Sequence, residues 1–145
     1  MSNSRKKDNT STAKKRKTIG VVSDFSSSTV RGYINILLSG IIDESKKHNF
    51  NVICFAGEHL VDSKNEFLAQ RNIVYRMAGQ QNINGVIVVS NSIFSDETTI
   101  KDLEAICHYY RPLPIVSIGA KLKGIAIERL RLFVDPKATQ MQYRD

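Results

Sequence analysis

Short hydrogen-bonding side chains gather at four places in this chain of 145 residues, each just past the carboxyl end of an apolar run. Asp24, Phe25, Ser26 and Ser27 follow the first run, and Gly57, Glu58 and His59 follow the second. Ser90, Asn91 and Ser92 follow the third, and Gly119 ends the fourth. A carboxylate that accepts, an amide that donates and accepts, several hydroxyls and one aromatic ring are the mix a polar small-molecule pocket uses. On that reading Phe25 covers the apolar face of a sugar while Asp24 and Asn91 satisfy its hydroxyls. The candidate ligand-binding set is Asp24, Phe25, Ser26, Ser27, Glu58, Ser90 and Asn91. A plainer role fits the same residues: Asp24 and the serines cap a helix, and Ser90-Asn91 makes a turn. The residues alone leave both readings open.

Catalytic patterns do not appear. Gly20 stands apart from any Gly-x-Gly-x-x-Gly fingerprint, and no Walker A loop occurs. His48, His59 and His108 are distant in sequence, and none has metal-ligand spacing with Cys54 or Cys107. The expectation is a non-enzyme with no catalytic residue, no metal and no cofactor. Both cysteines sit inside apolar patterns and read as core packing, so a disulfide scaffold is not expected and a cytoplasmic location is. No apolar stretch approaches the roughly 20 residues that span a bilayer, and the amino terminus lacks the apolar core of a secretory signal.

The candidate residues depend on the elements that carry them. Thr18–Phe25, Asn51–Gly57, Gly85–Asn91 and Pro114–Gly119 are rich in Val and Ile and end in turn residues. Between them lie longer stretches with helical periodicity. Val30, Ile34, Leu37, Leu38, Ile41 and Ile42 mark the first helix, closed by Lys46, Lys47 and His48, with Asn49 at its end. Gly40 on that helix suggests close packing. A second helix is expected over Lys64–Gly79, with Phe67, Leu68, Val74, Tyr75 and Ala78 facing in. A third covers Thr98–Tyr110 through Ile100, Leu103, Ile106, Cys107 and Tyr110, before Pro112 and Pro114 end it. Residues 91–96 read as a loop. Apolar strands joined by crossovers give an α/β fold: a doubly wound parallel sheet of order 2-1-3-4, with Leu130–Val134 offering a fifth strand. Ligands in such sheets bind past the strand carboxyl ends, which is why the candidate residues matter.

The formal net charge of +7 is concentrated in one place. Residues 1–17 hold Arg5, Lys6, Lys7, Lys14, Lys15, Arg16 and Lys17 against Asp8 alone, so the rest of the chain is nearly neutral. The expected organisation is a disordered basic tail over 1–17, a folded domain over 18–135 and an irregular end over 136–145. Such a tail supplies only salt-sensitive, non-specific affinity for nucleic acid.

With the strands placed, the sequence resembles the periplasmic-binding-protein-like sensor domain of the LacI/GalR family. The resemblance is carried by KRKTIGVVSDF, LLSGIIDESKKHNFNVICFAGE, NIVYRMAGQQNINGVIVVSNSI and LEAICHYYRPLPIVSIGAKLKGI, spanning residues 15 to 125. Its most specific segment is Arg-Pro-Leu-Pro-Ile-Val-Ser-Ile-Gly, 111–119. The resemblance implies that 18–135 is a ligand-sensing lobe, one lobe of a type I periplasmic-binding-protein-like fold that closes with a second lobe over a sugar or similar polar metabolite. It implies a transcriptional regulator or signalling receptor, with a homodimer among its partners. Only the basic tail precedes the first strand, so direct sequence-specific DNA binding is not expected. Past Gly124 the likeness fades, and the chain reads as an amino-terminal lobe from a truncated gene or fragment. The rival expectations are a solute-binding protein of a transport system and a flavodoxin-like or receiver-like module. A receiver needs an acidic cluster after its first strand, where this chain has Asp24 alone.

Overall fold

β-Branched side chains crowd the pleated runs, and each run becomes a strand. A computed structural model describes residues 15–26, 31–60, 70–79, 83–96 and 98–128. In chain order the elements are β1 (Thr18–Asp24), α1 (Arg31–Lys47), β2 (Asn51–Gly57), α2 (Ile73–Met77), β3 (Gly85–Val89), α3 (Ser90–Ile93), α4 (Ile100–Tyr109), β4 (Ile115–Ile118) and β5 (Ala126–Glu128). Every pairing is parallel, and the five strands lie in the order β2-β1-β3-β4-β5. The fold is α/β, a single parallel sheet with helices on both faces, as the strand and crossover spacing predicts.

The period-2 alternation of β1 and β3 splits the core. Val22, Val86 and Val88 face α2, α3 and α4, where they pack with Tyr75, Ile93, Leu103 and Cys107. Val21, Val89 and Ile118 face the other way, against Ile34 and Leu37 of α1. α1 ends as its sequence requires. Asn49 takes the left-handed conformation at φ 59°, Asn49 N–H donates to Lys46 O, and Phe50 N–H donates to Ser45 O. This is a Schellman stop, with Lys46 and Lys47 at the negative end of the helix dipole. α4 begins with a capping box: Thr99 Oγ accepts from Asp102 N–H, and the Asp102 carboxylate accepts from Thr99 N–H.

Five expectations need adjustment. Residues 90–93 form the short helix α3 rather than open loop. The fifth strand is Ala126–Glu128, while Leu130–Val134 lies outside the described residues, as do the first fourteen residues of the tail and the segment 136–145. Within Lys64–Gly79 the structure describes only residues from 70 on, where Tyr75 and Ala78 are buried. Cys107 is buried as expected, but Cys54 is exposed on β2, the outermost strand of the sheet among the described residues. Gly40 gives no close contact. It lines an apolar cavity of about 600 Å³ between α1 and the sheet residues Ile19, Ile87, Val116 and Ile118.

Candidate functional site

Parallel pairing brings the carboxyl ends of β1, β2 and β3 to one edge, and polar side chains from all three loops meet there. Asp24 ends β1 with its side chain almost fully buried, at 1% exposure for the residue. Its Oδ1 accepts from the N–H of Ser26 at 2.6 Å and from the Ser26 hydroxyl at 2.7 Å. Its Oδ2 lies 3.7 Å from Nδ1 of His59, whose ring is 44% exposed. The carboxylate thus sits directly beneath the exposed ring. The backbone N–H of Asp24 donates to Ser92 Oγ at 3.1 Å. Ser92 Oγ also meets Ser23 Oγ at 2.9 Å and donates to Val89 O at 2.8 Å. These hydroxyls tie the end of β1 to the turn after β3.

The loop after β2 is clasped by α2 and the residues before it. Asn72 Oδ1 accepts from Glu58 N–H at 2.9 Å, and Asn72 Nδ2 donates to His59 O at 3.2 Å. Tyr75 donates its hydroxyl to Glu58 O at 2.6 Å, and Tyr110 donates its hydroxyl to Tyr75 O at 3.0 Å. The Glu58 carboxylate meets Arg71 at 2.6 Å, an ion pair with one partner buried and the other half exposed. Burial pushes both phenols well above the usual tyrosine range, and the charge of Asp24 adds to the effect on Tyr75.

The remaining candidates are placed differently. Ser90 is buried, and its hydroxyl meets that of Ser117 at 2.7 Å; Ser117 in turn lies 2.7 Å from Ala120 O. It therefore braces β3 against β4 and presents nothing outward. Asn91 is exposed on α3, with its side chain lying against Gly119, which has φ +100°. Phe25 is half buried against the α1-side cluster. Ser27 lies outside the described residues. Asp24 and Ser26 are thus brought into direct contact, with Glu58 held next to His59 by the Asn72 clasp.

His59 and Ser92 matter more to this edge than the candidate set allowed. Both stand at strand ends in the sequence, but the contacts that engage them join residues 35 and 68 positions apart. The exposed groups that touch Asp24 here are the Ser26 hydroxyl and the His59 imidazole, while Asn91 is exposed past the end of β3 against Gly119. Hydroxyl, imidazole and amide can each donate or accept hydrogen bonds, which suits hydroxyl-rich molecules. Among the described residues, no group of three or more His, Cys, Asp or Glu side chains is placed to hold a metal ion. Among the described residues, no helix is long and apolar enough to cross a membrane. Comparisons with family models, curated proteins and solved structures found no match for this chain.

Proposed function

We propose that this chain is a cytoplasmic ligand-sensing lobe of the LacI/GalR type, taking a sugar or similar polar metabolite at the carboxyl edge of its sheet. One observation carries the reading. Three strand ends separated in sequence converge on Asp24. Ser92 after β3 accepts from the Asp24 backbone N–H, and the buried Asp24 carboxylate holds the Ser26 hydroxyl and the His59 imidazole after β2 at the surface. Such convergence at the carboxyl edge of a parallel sheet is the usual setting of a ligand site in this architecture. In a two-lobed sensor, the ligand shifts the balance between open and closed states through its differing affinity for them. One lobe buries only part of a ligand, so affinity is in the millimolar range.

Thermal unfolding with a panel of aldopentoses and aldohexoses tests this. At a concentration about tenfold above Kd, ligand linkage adds about 1.4 kcal/mol, or a few degrees in the midpoint. One or a few sugars are expected to exceed the general stabilisation that all sugars give as excluded co-solutes. Asp24→Ala and Asn91→Ala should each remove that excess. A uniform response across the panel, or an excess that both variants keep, would sink the proposal.

A further inference from the structure

Among the described residues, the outer edge of β2 is left unpaired in a way that edge strands of lone domains usually avoid. β2 pairs with β1 on one side and, among the described residues, with no strand on the other. Edge strands are commonly blocked by charge, by proline, by a bulge or by being short. Asn51–Gly57 has none of these: seven residues, no charge, no proline, and an unbroken register with β1 from Thr18↔Asn51 to Asp24↔Gly57. Ile53, Cys54 and Ala56 are exposed along it.

We propose that β2 is a self-pairing edge, where two copies of this chain join antiparallel about a two-fold axis at Cys54. The occupant is argued from the strand's symmetry. Cys54 is the middle residue of seven, so a two-fold axis there sets Ile53 against Phe55 of the other copy. The same axis sets Val52 against Ala56, Asn51 against Gly57, and Cys54 against itself. Apolar meets apolar at each central position, large partners meet small ones at the Val52–Ala56 pairs, and no like charges oppose each other. Each copy's five-stranded sheet would continue into the other. A single pair of seven-residue strands falls short of the roughly 1,200–2,000 Å² of a tight interface, so the dimer is weak and concentration-dependent. The pairing does not depend on the sensing role.

Sedimentation velocity on the full chain, from about 10 to 300 µM, covers the range where so small an interface associates. Wild type and Cys54→Val should both form dimers as concentration rises, because valine suits a strand and keeps the edge uncharged. Cys54→Lys should stay monomeric, since it sets two ammonium groups directly opposite each other. Cys54 is exposed, so each variant should keep the thermal midpoint of wild type. Mild oxidation with diamide, which takes up the two electrons and two protons released, should join the copies through Cys54 alone. Directly opposed residues lie within disulfide reach at a Cα separation of about 4.5–5.5 Å. Identical sedimentation of Cys54→Lys and wild type would overturn the proposal, whether both associate or both stay monomeric. So would oxidised dimers linked through Cys107, or the absence of linked dimers.

Discussion

Alanine at Gly57 is expected to destabilise the protein by about 3 kcal/mol, combining overpacking with a strained buried hydrogen bond. The added Cβ would fall on the ring and hydroxyl of Tyr75. Tyr75 is 2% exposed and packed in the core cluster with Val22, Phe55 and Ile93. Its hydroxyl donates to Glu58 O, and its own carbonyl accepts from Tyr110. Displacing the ring therefore disturbs the loop that carries Glu58 and His59. Gly40→Ala is the matched control, because nothing lies within 4 Å of the carbon it adds. At that helical position alanine should be neutral or stabilising by up to about 1 kcal/mol. Urea midpoints measured on the two variants decide the matter. Equal effects would mean that the Gly57–Tyr75 contact does not support the fold.

Alkaline pH should unfold the protein steeply, through the two buried phenols. Both are held above their usual range when folded, chiefly by burial. A raised folded pKa means the stabilising contribution is intact below the unfolded value, near 10 for tyrosine, and is lost as pH climbs past it. Each tyrosine removes about 1.4 kcal/mol per pH unit in that range, so the pair removes about 2.7. The Cys107 thiol, pushed up to about 11 by burial and then by the nearby Glu104 carboxylate, acts with the same sign. Its contribution begins to fade near pH 8.5, the unfolded thiol value. Tyr75→Phe or Tyr110→Phe should lose about 1 kcal/mol at neutral pH with its hydrogen bond, yet halve the tyrosine part of the alkaline slope. Circular dichroism melts between pH 8 and 12 read both quantities. A slope unchanged in the double phenylalanine variant would refute this account of the two phenols.

The sheet was legible because its signal is local. Runs such as Gly-Val-Val-Ser-Asp and Gly-Val-Ile-Val-Val announce strands by composition, and helical crossovers between them leave parallel pairing as the natural arrangement. The Schellman stop at Asn49 was equally visible, because a short polar residue after Lys46-Lys47-His48 favours the left-handed turn. Exposure was less legible. Cys54 reads as core by its neighbours, and only the strand order reveals that β2 is an edge. Ser90 fits a turn or a ligand contact by type, yet its hydroxyl is committed to Ser117, 27 positions away. The Asp24–His59 approach and the Asn72 clasp depend on how the loops after β1 and β2 meet, and no residue spacing encodes that. Strand ends could be listed from sequence, but which of their side chains face one another could not.

The carboxyl edge as the ligand site is tested most directly by a map of amide shifts in an ¹H–¹⁵N titration. D-Ribose and D-glucose, each taken to tens of millimolar, suit the weak affinity expected of a single lobe. The account predicts that a binding sugar moves the amides of Asp24, Ser26, His59, Ser92 and Gly119 together, with one saturating curve. Amides lining the apolar cavity, such as Ile36, Gly40 and Val116, should stay in place. Saturating shifts centred on that cavity, or none at the carboxyl edge with either sugar, would contradict it.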